Sequence, residues 1–238
     1  MGTTAILSPH PDDAVLSLWH VLAGPGDVRV VNVFTAAPPG AGPGWWDDRS
    51  GATDPAVRAA EREGEDRAAL ALAGREAISL GFIDNQYRSG AQRLEPIVDA
   101  LAVALAPDEL VLAPAALGAH PDHDLVRAAA LGLRDRGRTV ALYADLPHAV
   151  RDGWPRWVDD GDGAPGADDG WAARLIDAGL RPTELRPRVH SLDADERRRK
   201  RDAVGRYATQ LGALDQEFSL TSRPELLDRE VVWPLPSP

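Results

Sequence analysis

Short apolar runs alternate with longer stretches whose apolar residues recur at helical spacing, and this alternation constrains the fold more than any other feature of the chain. The apolar runs are "TTAILS", "DVRVVNVFTA", "AISLGF", "ELVLAPA" and "TVALYADLP", five strands in chain order. Between them lie "DAVLSLWHVLAG", read as one helix ending at Gly24, an Ala-rich helix from about Ala56 to Ala73, "LEPIVDALAVALA" and "DHDLVRAAALGLRDRG". Asp54-Pro55 supplies the cap and first turn of the Ala-rich helix. Strands joined by helices imply right-handed crossovers, so the expected fold class is α/β, a Rossmann-like doubly wound, mostly parallel sheet with helices on both faces.

The rest of the chain is read more coarsely. A Pro/Gly-rich loop, "APPGAGPGWWDDRSGATDP", follows the second strand, and Arg151 to Gly170 shows no periodicity and reads as a surface loop. "WAARLIDAG" and "DADERRRKRDAVGRYATQLGALDQ" read as helical, with "TELRPRVHSL" as a strand between them and "ERRRKRD" as a solvated helix face. No repeat or linker divides the 238 residues, so one domain spanning 1–238 is expected.

Composition excludes several classes of function. A formal charge of −11 argues against nucleic acid or anionic membrane as a partner, because both need a dense positive surface. Small molecules are the expected ligands, and a homo-oligomer is compatible with the composition. With no cysteine in the chain, thiolate nucleophiles and cysteine metal ligands are excluded, and any metal must be held by His, Asp or Glu. No apolar run reaches membrane-spanning length and no signal-peptide pattern opens the chain, so a cytoplasmic location is the default expectation.

The polar residues that break this pattern carry the chemistry. "SPHPDDAVLS" places His10, Asp12 and Asp13 directly after the first strand, between two apolar stretches. Adjacent acids beside a histidine are costly in a buried segment unless a cation holds them. "AHPDHD" places His120, Asp122 and His123 directly after the fourth strand. Open parallel sheets bind ligands beyond the carboxyl ends of their strands, so both motifs are expected at one rim, each with a histidine, a proline and an acid. That combination suits a catalytic metal with N/O ligands and an open position. Either motif alone reads equally well as a helix cap. An acid pair after the first strand also occurs in magnesium-dependent phosphotransfer modules, but histidines do not suit magnesium.

"SPHPDDAVLS" together with "HPDHDLVRAAA" resembles the LmbE-like, or PIG-L, zinc-dependent N-acetylglucosaminyl deacetylases. Weaker support comes from "REGEDRAALALAG", "ISLGFIDNQYR", "LYADLPHA" and "KRDAVGRYATQ". The resemblance implies a zinc-dependent hydrolase that removes an N-acyl group, usually acetyl, from an amino sugar or sugar-containing natural-product intermediate. It implies His10, Asp13 and His123 as zinc ligands, Asp12 as general base, and His120 as the group that stabilises the oxyanion or protonates the leaving amine. Asp122 is the expected orienter of His120. The competing reading is a member that keeps its zinc cage without turnover. Two positions depart from the family pattern: Ala14 where Glu is commonest, and Gly118 where mycothiol-pathway members carry Tyr.

Substrate contacts are expected from Arg62, Asp84 and Arg88, whose charges reach toward the same rim, and from Trp45 and Trp46, whose indoles suit a sugar face. His148 is placed to reach the site after the fifth strand, whereas His20 and His190 have no partner motif and read as structural or surface residues.

Overall fold

The computed structural model describes residues 3–160 and 170–236. Five strands, β1 (Thr4–Ser8), β2 (Val28–Ala36), β3 (Ala77–Ile83), β4 (Leu110–Pro114) and β5 (Val140–Tyr143), form a parallel sheet. Two more, β6 (Arg188–Ser191) and β7 (Arg229–Pro234), extend it in antiparallel fashion, giving the order β3-β2-β1-β4-β5-β7-β6. The four inner parallel strands are almost wholly buried, as expected of strands covered on both faces. The chain leaves β1 toward β2 and β3 on one side and returns through β4 to β5 on the other. β1 and β4 pair directly, Thr4 opposite Leu110 and Ile6 opposite Leu112, so the crevice where the strand order reverses opens between them.

Ten helices are described: α1 (Asp13–Ser17), α2 (Trp19–Ala23), α3 (Trp45–Ser50), α4 (Pro55–Ala71), α5 (Leu94–Ala104), α6 (Pro121–Asp135), α7 (Arg156–Asp160), α8 (Gly170–Asp177), α9 (Ala194–Val204) and α10 (Ala208–Phe218). Asp54 caps α4 as its sequence predicts, accepting hydrogen bonds from the N–H groups of Ala56 and Val57. Among the described residues, no helix is long and apolar enough to cross a membrane.

Four local expectations are corrected. The helix read from Asp13 to Gly24 is broken at Leu18, and the break has a distant cause. The Glu230 carboxylate of β7 accepts from the N–H groups of Trp19 and His20 at 2.7 and 3.0 Å, capping a fresh helix start. The Pro/Gly-rich loop contains α3. The stretch from Arg151 to Gly170 contains α7, while 161–169 lie outside the described residues. A cluster of Trp154, Trp157, Trp171 and Trp233, with centroids 5.7–6.3 Å apart, seats α7 and α8 against β7. Finally, β7 itself goes unread in the sequence, because its pattern is short, follows a turn and ends in proline.

The "ERRRKRD" face is not wholly solvated either. Lys200 is 1% exposed and donates to Glu230 at 2.9 Å. Glu230→Ala would leave that ammonium buried without a partner and expose two helix N–H groups to the same vacancy. Unfolding free energy from urea titration is expected to drop by about 3–5 kcal/mol. An unchanged denaturation midpoint would show that Glu230 neither pairs Lys200 nor caps α2.

Candidate metal centre and active site

Two turns bring the polar motifs together. After β1, the Ser8 hydroxyl donates to the His10 carbonyl at 2.6 Å and accepts from the Ala14 N–H at 3.1 Å, drawing the chain into a tight turn. Asp12 sits in that turn at φ 143, a region that side-chain-bearing residues rarely adopt and that costs of order 1–3 kcal/mol. Ala116 and Ala119, in the loop before α6, also take positive φ, 54 and 60. Strain at both turns marks the place where the fold holds residues against local preference. His120 then caps α6, and one helical turn later His123 points inward, fully buried.

The ring nitrogens and carboxylates converge without closing on one another. Asp13 Oδ2 lies 3.4 Å from His10 Nδ1 and 3.4 Å from His123 Nε2. That spacing is the edge of a tetrahedron around an ion with bonds of about 2.0–2.1 Å, roughly 3.3–3.4 Å. On its other side the neutral His123 ring donates from Nδ1 to Asp145 Oδ2 at 3.0 Å, which turns the Nε2 lone pair toward Asp13. This Nε2 is buried and has no hydrogen-bond partner. An isolated acceptor in the interior is costly, and a divalent cation beside Asp13 and His10 would satisfy it. His10 is held in the same way, its Nε2 at 3.0 Å from Asp122 Oδ2. A carboxylate behind each imidazole is the arrangement that orients metal-ligating histidines.

Two other donor sets overlap this one. Ligand atoms of His10, His120 and His123 lie within 4.8 Å of one another, as do those of His10, Asp84 and Asp122. In the second set the acids already have cations, since Asp84 accepts from Arg62 at 3.1 Å and Asp122 from Arg88. In the first, His120 Nδ1 accepts from the Asp122 N–H at 3.2 Å, so only Nε2 remains to face the cavity.

Electrostatics separates the neighbouring acids. Burial, and then the charge of Asp13, push the Asp12 carboxyl up to about 7. Burial acts on Asp13 too, but His123 and His10 outweigh it and hold that carboxyl well below the usual range. Burial and then the adjacent His10 and His123 hold His120 down at about 3, so its imidazole is neutral. Because Nδ1 accepts, the ring proton sits on Nε2. The site thus offers a base poised near neutrality, a permanent anion and a neutral N–H donor.

A pattern describing the family PIG-L, GlcNAc-PI de-N-acetylase, matches residues 5–133, the segment that carries both motifs. The chain belongs to the PIG-L family. It is 33% identical over 171 residues to the 2'-N-acetylparomamine deacetylase of Streptomyces fradiae, a match covering 62% of this chain and 58% of that protein. The solved structure of the A40926 pseudoaglycone deacetylase is 31% identical, covers 99% of this chain with 97% of its own, and superposes with a TM-score of 0.72. A triple mutant of a teicoplanin-pathway deacetylase reaches the same TM-score at 27% identity, with 98% and 97% of the two chains covered.

With this PIG-L chain folded, the residues singled out in its sequence divide into two groups. His10, Asp12, Asp13, Arg62, Asp84, Trp45, Trp46 and His120 line one cavity. Asp122, Arg88 and His123 stand behind its wall. Asp122 does not orient His120 through its carboxylate, which instead holds His10, the Asn85 N–H and Arg88. Arg88 is not free for substrate, because it is spent on Asp122 and lies over the Phe34 ring at 5.0 Å. Trp46 donates to Gln210 at 2.6 Å and packs on the core, whereas Trp45 is 51% exposed.

His148 does reach the PIG-L cavity, and it explains Gly118. A Cβ at residue 118 would fall 2.4 Å from that of His148, so no larger residue fits beside it. Asp145, Arg151, Leu214 and Glu217 were not singled out in the sequence. Only Asp145 left a signal there, as the lone acid after an apolar strand in "LYADLPHA". Asp145→Asn is expected to weaken metal affinity about 10- to 100-fold, the usual effect of removing a carboxylate behind a ligating histidine. Competition with a chromogenic chelator measures this, and unchanged affinity would mean that Asp145 does not orient His123.

Proposed function

We propose that this PIG-L protein is a zinc-dependent hydrolase that removes an N-acyl group, most simply acetyl, from an amino sugar or a sugar-bearing natural-product intermediate. The observation that carries this reading is the unpartnered, buried His123 Nε2 facing Asp13 beside a cavity lined by Asp12 and His120. His10, Asp13 and His123 would hold the ion. When bound, zinc polarises an acyl oxygen and acidifies water.

The chain's own groups supply the rest of the chemistry. Asp12 accepts the proton of the attacking water and returns it to the amine as the C–N bond breaks. The Nε2–H of His120 donates to the oxygen that gains charge as the carbonyl carbon becomes tetrahedral. Trp45 offers an exposed ring for a sugar face, and the Arg151–Glu217 ion pair adds polar contacts to the lining of the same cavity. Relatives named for the deacetylation of 2'-N-acetylparomamine and of the A40926 pseudoaglycone support an amino-sugar substrate.

Acetate release from a panel of N-acetylated amino sugars and their glycosides tests the reading, with a chelator abolishing the activity and zinc restoring it. Undiminished release from verified metal-free protein would overturn the zinc mechanism. Tight zinc binding with no release across the panel would favour a member that binds without turning over.

A further inference from the structure

His20, His190 and Glu196 come from three separate elements, α2, β6 and α9, and meet on the surface. One ligand atom from each lies within 4.8 Å of the others. His20 Nδ1 is 2.7 Å from Glu196 Oε1, and His190 Nε2 is 3.1 Å from Oε2 and 3.2 Å from Oε1. The imidazoles stack, with centroids 3.4 Å apart and planes 23° from parallel. We propose that these three side chains form a second transition-metal site, distinct from the cavity, that takes Zn²⁺, Ni²⁺ or Cu²⁺.

Three physical features support the assignment. His20 Nδ1 and His190 Nε2 both face the Glu196 carboxylate, and each becomes a metal ligand once the proton it shares with that carboxylate moves to the other nitrogen of its ring. The carboxylate is already oriented, because Oε2 also accepts from the Asp193 N–H at 2.9 Å in the capping box that starts α9. Burial would raise that carboxyl, but the hydrogen bonds from His20, Asp193 and His190 bring it down to about 2, so it is an anion.

Two imidazole nitrogens and one carboxylate oxygen form a borderline donor set, preferred by Cu²⁺, Ni²⁺ and Zn²⁺ over magnesium or calcium. The His20 side chain is 47% exposed and that of His190 36%, so the rings can splay apart around an ion and leave room for water ligands. A bound ion would tie α2, which follows the Asp13 helix after the break at Leu18, to the antiparallel edge of the sheet. Because it binds the native state, it would stabilise the fold by mass action.

Equilibrium dialysis of the full chain against excess zinc, with metal counted per chain, separates this site from the cavity. The wild type is expected to hold one more ion than His20→Ala or His190→Ala, with acetate release unchanged in both. The wild-type melting temperature should rise on zinc addition beyond saturation of the cavity site, and this increment should vanish in the variants. Copper added to zinc-loaded protein should give an electron paramagnetic resonance signal with two nitrogen couplings in the wild type and one in each single variant. Equal metal counts and equal melting increments in wild type and variants would overturn the proposal, leaving the cluster as a hydrogen-bonded surface contact. Should His190→Ala fail to fold, the more exposed His20→Ala decides. The comparison holds even if the cavity binds no zinc, since it rests on the difference between wild type and variant.

Discussion

Asp12→Asn is expected to keep its zinc and lose turnover by about 10²- to 10⁴-fold, whereas Asp13→Ala is expected to lose the ion and all activity with it. The neighbours differ because the strained turn at Asp12 sends their side chains to different surroundings. Asp13 faces two imidazoles, and Asp12 faces the cavity. Asparagine keeps the volume of Asp12 but cannot accept a proton from water. The pH profile adds an independent check. A base works only when ionised, so kcat/KM should be full above the Asp12 pKa and fall as pH drops through it. Burial and the Asp13 charge push that carboxyl up to about 7, and a cation held by Asp13 offsets the repulsion, placing the acid limb below 7. Asp12→Asn should remove the limb as well as the rate. Zinc competition and acetate release on both variants decide the matter. If both retain metal and rate, the pair is a helix cap; if both lose metal, Asp12 is a ligand and the base lies elsewhere.

His120→Ala should retain zinc and lose about 10²- to 10³-fold in kcat, the scale seen when one oxyanion donor is removed. The neutral ring with its proton on Nε2 makes it a hydrogen-bond donor to the developing charge. His120→Gln, which keeps an N–H donor of similar reach, should recover part of the loss while leaving metal content alone. Loss of zinc in His120→Ala would instead make His120 a ligand in the three-imidazole set, where one of its ring nitrogens lies within 4.8 Å of those of His10 and His123.

The sequence by itself determined the parallel part of the sheet, the helix cap at Asp54, and the meeting of the two histidine motifs at one rim. These follow from short-range rules: alternation sets which runs become strands, and a proline or acid at a run's end sets where the next helix starts. Right-handed crossovers then put the ends of β1 and β4 side by side. Partners hundreds of atoms away along the chain were not legible. Asp122 holds His10 across 112 residues, Glu230 breaks the first helix across 211, and Glu196 gathers His20 across 176. Nothing local distinguishes these acids from solvated ones. Asp122 and Glu230 take their partners because the topology places them beside buried donors, which in a low-dielectric interior must be satisfied by whatever acceptor is brought there, whereas Glu196 meets His20 on the surface where α2 and α9 come together.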